Sequence, residues 1–149
     1  MRILILAMAL TLSACNAAPN SAGQISERIG QAANDPSTKE LDLSKLMSFG
    51  WDRLHLFKAG TTKEAICRFL NAGRNTCGRV VRYEVVPADH VAMLFTLGDR
   101  LTHLELHAMA NGVLDVNVPG GGLPREACRF AVRHVASTGT TPVAVLELR

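Results

Sequence analysis

The strongest constraint on the fold is a pair of apolar runs, residues 91–97 and 101–108, separated by Gly98-Asp99-Arg100. Short runs rich in Val, Leu and Phe that flank a glycine-containing connection read as the two strands of an antiparallel hairpin, with those three residues as its loop. Strand signals also occur at 80–86 and at 50–57, where Trp51, Arg53, His55 and Phe57 alternate with Asp52, Leu54 and Leu56. A second hairpin is expected from 129–135 and 142–148, joined through Ser137-Thr138-Gly139-Thr140-Thr141. Between the first strand and the rest lies one clear helix signal: Thr61 as N-cap, Glu64 completing a capping box, and an apolar stripe of Ala65, Ile66, Phe69 and Leu70 that stops around Asn71-Ala72-Gly73. Together these signals predict an α+β fold, a small antiparallel sheet with one main helix packed on a face. Trp51, the sole tryptophan, is expected in the core, anchoring the first strand.

The folded domain is expected at 41–149. Residues 15–40 are small and polar with Pro and Gly punctuation, which reads as a flexible tether carrying at most a weakly packed short helix over 25–33. A chain of this size, 48% hydrophobic, suits one core and leaves no room for two. No repeat of 20–50 residues and no heptad run is present.

Ahead of the tether stand Arg2, the apolar stretch 3–12, and Leu12-Ser13-Ala14-Cys15. The layout is that of a secretory signal; spanning about 30 Å of hydrocarbon takes roughly 20 apolar residues, so this stretch is too short for a membrane helix. Leu12-Ser13-Ala14-Cys15 resembles the lipobox of bacterial lipoproteins. That resemblance implies cleavage after a signal peptide at 1–14, lipid attachment to Cys15 and acylation of the new amino terminus. Stable anchoring takes two lipid signals, which such a cysteine would carry, so the protein would be tethered to a membrane rather than spanning it. Asn16, in place of the aspartate that resembles an inner-membrane retention signal, points to the periplasmic face of the outer membrane.

Residues 15–149 hold 15 Lys and Arg against 13 Asp and Glu. A balance this close argues against nucleic acid, which asks for a clustered basic face, and there is no polybasic run for anionic lipid. Of the remaining cysteines, Cys67 and Cys77 are near enough in sequence to join the end of the helix to the loop after it, leaving Cys128 as a buried free thiol; other pairings remain open. Their spacing contains no Cys-x-x-Cys pair, so zinc is not expected, and no other metal or cofactor is.

Three segments invite a chemical reading. In Thr102-His103-Leu104-Glu105-Leu106-His107, a helix would juxtapose the two histidines, but the zinc-protease pattern requires glutamate where Leu104 stands. As a strand, the segment puts His103, Glu105 and His107 on one face, the histidines about 13 Å apart and too far for one ion; a solvated sheet face is expected. Pro119-Gly120-Gly121-Gly122-Leu123-Pro124 lacks the Gly-Lys-Ser or Gly-Lys-Thr of a phosphate cradle. It reads either as a wide connection or as a partner-contact loop, with Gly120, Gly121, Gly122, Leu123 and Arg125 as the contacts. His55, His90 and His134 are scattered, and no Gly-x-Ser-x-Gly marks a nucleophile.

Trp51-Asp52-Arg53 in a strand, the threonine-started helix with Glu64 and Ile66, and the late hairpin resemble small uncharacterised bacterial envelope proteins. The resemblance implies the fold and carries no activity. The expectation is a non-enzymatic, lipid-anchored periplasmic binding protein, an immunity protein or inhibitor of an envelope-targeting enzyme. Its partners would be the membrane, through Cys15, and an envelope protein, without nucleic acid. The alternative is an accessory structural lipoprotein of an envelope assembly.

Overall fold

The structure is a computed structural model that describes residues 23–136 and 142–149. The expected leader at 1–14, Cys15, residues 16–22 of the expected tether and the connection 137–141 lie outside the described residues. The α+β class is confirmed, with eight strands in two four-stranded sheets and four α-helices among the described residues. The order is α1 (Gln24–Ala33), β1 (Glu40–Asp42), α2 (Leu43–Leu46), β2 (Arg53–Phe57), α3 (Lys63–Phe69), α4 (Arg74–Val80), β3 (His90–Leu97), β4 (Arg100–Ala108), β5 (Val113–Asp115), β6 (Leu123–Pro124), β7 (Arg129–Val135) and β8 (Val143–Leu148).

One sheet runs β4-β3-β2-β6 and the other β1-β7-β8-β5, with β5 parallel to β8 and the remaining pairs antiparallel. Where one core was expected, the two-residue alternation of β3 feeds two apolar clusters, one on each face of its sheet. Met93 and Phe95 face the second sheet and pack with Leu54, Leu123, Phe130 and Leu146, while Ala92 and Leu94 face α3 and α4 and pack with Ile66, Val81, Tyr83 and Leu106. The first sheet is therefore the middle layer of three, which explains why β3 is buried along nearly its whole length. Each fully buried Leu, Met or Phe contributes about 1.5–3 kcal/mol to this arrangement.

Both hairpins expected from the sequence are present, β3–β4 and β7–β8. Leu97 pairs with Arg100, so the first turn is Gly98-Asp99 alone, with Gly98 at φ 57° supplying the positive φ that two-residue hairpins demand. Trp51 is only 2% exposed, in the core as expected. The N-cap of α3 is Thr62, whose hydroxyl accepts from the Ala65 amide at 3.3 Å; Thr61 instead donates to the Lys58 carbonyl. The expected strand at 80–86 is not formed. Val81, Tyr83 and Val86 are buried under α3, but the segment follows α4 as a loop and meets other backbone through the isolated bridge Thr62–Val85.

The tether expected at 15–40 does not extend over 24–40, because the chain is folded from Gln24 onward. Ile25, Ile29 and Ala33, spaced at four residues, bury one stripe of α1 in the inter-sheet core, and Leu41 of β1 joins them. Both ends of α1 are held by side chains distant in sequence. The Ser26 amide donates to Glu105 Oε1 at 2.7 Å, and His134 Nε2 reaches the Ala33 carbonyl at 2.8 Å. Cys67 and Cys77 are disulfide-bonded, linking α3 to α4 with their Cα atoms 5.6 Å apart, and Cys128 is a buried free thiol. Among the described residues no helix is long and apolar enough to cross a membrane.

Candidate functional site

Trp51-Asp52-Arg53 organises a broad concavity of the described surface. Trp51 sits edge-on against Phe95, ring centroids 5.2 Å apart, and fixes the start of β2 in the core. The next residue holds one wall: Asp52 Oδ2 accepts from the Gly98 amide at 2.9 Å, pinning the hairpin tip. Arg53 holds the other, its Nη1 donating to the Gly121 carbonyl at 3.1 Å and fastening the glycine loop. Between the walls lies a groove of about 690 Å³, lined among others by Arg53, His55, Phe69, Asn71, Thr96 and Asp99.

His55 forms the floor and Phe69 the side. Their ring centroids are 4.7 Å apart, and Phe69 also meets Phe57 edge-on at 5.3 Å. Burial holds the His55 pKa below 6.5, Arg53 adds to that and Asp52 opposes it, so the ring is neutral at pH 7. Gly122 has φ 79° and presses on His55 so closely that a methyl group there would overlap the imidazole. Phe69 was expected in the buried stripe of the helix but is 42% exposed. With seven residues α3 makes about two turns, and Ile66 is the side chain it buries.

The residues expected as a partner-contact loop divide in two. Gly120 and Gly121 line the groove as a contact loop would. Leu123 and Arg125 do not project from it. Leu123 is buried in β6 opposite Leu54, and Arg125 lies over the Trp51 ring at 5.4 Å, donating to the carbonyls of Trp51 and Ser44. Backbone pairing draws Leu123 inward, and cation–π contact with buried Trp51 draws Arg125 after it.

The solvated face expected for His103, Glu105 and His107 is corrected as well: α1 covers it. The Glu105 side chain is 8% exposed and joins His103 Nε2 at 2.8 Å. Ser26 Oγ accepts from the Ala108 amide and from Asn111 Nδ2. His107 is fully buried, donates from Nε2 to the Gly112 carbonyl at 2.7 Å, and has its pKa lowered by burial, with smaller opposing effects from that hydrogen bond and from Glu105. A second recess of about 390 Å³ borders this network and is lined by Arg28, Met47, Ser48, Phe49, His103 and Glu105 among others. Ser48 makes no hydrogen bond to His103 there. Among the described residues no three His, Cys, Asp or Glu side chains come together to hold a metal ion. Burial and two nearby carboxylates push the Cys128 thiol up to about 12, so it stays protonated and is a poor nucleophile.

What the groove can do chemically is hold a ligand by an aromatic face, a guanidinium, a neutral imidazole and a carboxylate fixed around one floor. Its residues come from β2, α3, the β3–β4 turn and the glycine loop, and sequence reading singled out only the last as a contact. Compared with models of known protein families, with curated proteins and with solved structures, the chain gives no significant match.

Proposed function

We propose that this chain is a lipid-anchored periplasmic binding protein that captures another envelope protein, as an immunity protein or an inhibitor of an envelope-targeting enzyme would, without a reaction of its own. The observation that carries the reading is Phe69, a large aromatic left 42% exposed in a groove whose walls are fixed by Asp52 and Arg53. An aromatic anchor in a preformed pocket ringed by polar groups is the usual composition of an interface hot spot, where truncation costs about 2 kcal/mol or more. A rigid groove also lowers the entropy cost of association. The anchor reading rests on Leu12-Ser13-Ala14-Cys15.

Mature protein immobilised as bait should retain a specific envelope protein, and Phe69→Ala should weaken that complex by roughly thirtyfold with an unchanged melting temperature. Recovery of nothing above background, or equal recovery by Phe69→Ala, counts against the groove. Recovery of a multi-subunit membrane assembly, lost from cells on deletion, would favour the accessory structural lipoprotein instead. For the anchor, Cys15→Ala should accumulate as unprocessed precursor without lipid label; normal maturation would end that part of the proposal.

A further inference from the structure

The near-neutral total conceals a segregation of charge. Residues 58–89, which form α3, α4 and their connections, contain six Lys and Arg against three Asp and Glu, whereas the rest of 15–149 contains nine Lys and Arg against ten Asp and Glu. No run of basic residues is visible in the sequence; the fold collects them in one layer on the outer face of the β4-β3-β2-β6 sheet.

Four of these charges are also unpaired. Lys58, Arg68, Arg79 and Arg82 are exposed and make no ion pair among the described residues, while Lys63 pairs with Glu84. On the other sheet the cations are matched: Arg129 with Asp42, Arg133 with Glu147 and Arg149 with Glu40. Leaving like charges unpaired on one face costs self-repulsion, and an anionic surface would relieve it.

The course of the chain says which anionic surface. Gly23, the first described residue, donates its amide to the Leu106 carbonyl at 3.0 Å on β4, and it lines a recess together with Arg79, Arg82, Tyr83 and Leu104. The eight residues from Cys15 to Gly23 reach at most about 28 Å when fully extended. Strand β4 is one edge of its sheet and β6 the other, about 14 Å away across four strands. The groove is floored by β2 between the β3–β4 turn and the glycine loop, and it shares no lining residue with that recess.

We infer that the basic rim of Arg79 and Arg82, with Arg68 and Lys58 behind it, rests on the anionic lipid headgroups of the leaflet that holds the lipid on Cys15; this rests on the lipid-anchor reading above. Lipidation fixes the chain near the bilayer, and the rim orients it. The recess beside Leu104 and Leu106 faces the headgroups, and the groove, which shares no lining residue with it, stays open to a partner. Each basic side chain near an anionic surface strengthens adsorption about fivefold, an effect confined to about a Debye length.

The test uses the unlipidated chain 16–149, which contains every described element, in sedimentation with vesicles at 0.1 M salt. Binding to phosphatidylcholine vesicles containing 30% phosphatidylglycerol should exceed binding to pure phosphatidylcholine, and Arg79→Gln/Arg82→Gln should reduce it by about 25-fold. Arg129→Gln/Arg133→Gln, which removes paired cations from the other sheet, should leave it within twofold. Equal binding to neutral and anionic vesicles, an unaffected rim variant, or a preference for a soluble acidic protein over the anionic vesicles would overturn the inference. Failure of the anchor itself is read separately, from normal maturation of Cys15→Ala.

Discussion

Replacing Glu105 with alanine tests whether the amino-terminal helix belongs to the folded domain. Glu105 Oε1 accepts from the Ser26 amide at 2.7 Å, and its other oxygen meets His103 Nε2 at 2.8 Å. Helix α1 has no side-chain cap of its own at Gly23, so this carboxylate supplied from β4 is its cap. Loss of an N-cap acceptor costs about 1 kcal/mol, loss of negative charge at a helix start adds about 0.3–1 kcal/mol, and loss of the hydrogen bond to His103 adds about 1 kcal/mol more. Glu105→Ala should therefore lose about 2–3 kcal/mol, a drop in melting temperature of about 6–12 °C for a chain of this size. Glu105→Gln keeps an oxygen for Ser26 and presents an amide to His103, which can accept in its other tautomer, so it should lose about 0.5–1 kcal/mol. Urea denaturation followed by circular dichroism gives both values, and hydrogen exchange should show the α1 amides opening first in Glu105→Ala. An alanine variant within 0.5 kcal/mol of wild type, or a glutamine variant as damaging as alanine, would refute the capping argument.

Two further outcomes follow from buried groups. The folded protein holds His107 below its ordinary pKa of 6.5, so the unfolded chain binds more protons below that pH; urea stability should be level above about pH 6.5 and fall from there toward the depressed value, with His55 acting in the same direction. Asp42, held low chiefly by its hydrogen bond from Ser44, acts in a separate range, losing its contribution as pH falls below about 4; stability unchanged between pH 7.5 and 5 would contradict the His107 assignment. Cys67→Ser/Cys77→Ser opens a loop of sequence separation 10 and should cost about 2–3 kcal/mol, with exchange rising first in α3 and α4; a loss under 0.5 kcal/mol would mean the unfolded chain is not appreciably constrained by the bond.

The strands that could be read from the sequence are those whose pairing is local. The hairpins β3–β4 and β7–β8 carry their turn residues and apolar runs in adjacent sequence, and both form. Residues 80–86 misled because Val81 and Tyr83 are buried two apart, as in a strand. That spacing reports which side chains face a core, and a loop held by a disulfide can satisfy it as well as a ladder can. Helix α1 was undervalued for the opposite reason: its Ile25, Ile29 and Ala33 stripe was visible, but its caps, Glu105 and His134, are 79 and 101 residues from the groups they bind. Local capping rules register a helix end only when the cap is nearby in sequence.

The groove follows the same logic one level higher. Trp51-Asp52-Arg53 was conspicuous as a tripeptide, yet its meaning lies in three partners far along the chain: Phe95 beside Trp51, Gly98 on Asp52 and Gly121 on Arg53. Alternation in β2 sends Leu54 into the inter-sheet core and turns Arg53 and His55 toward α3, so one short strand separates the residues that fold the protein from those that face the groove. The glycines at 120 and 121 then have a reason beyond flexibility: Gly121 brings a bare backbone carbonyl against Arg53, and Gly122 fits over His55 where a side chain could not. A loop held at both ends in this way is a preformed wall, and that wall beside the exposed Phe69 is the feature on which the proposed binding role rests.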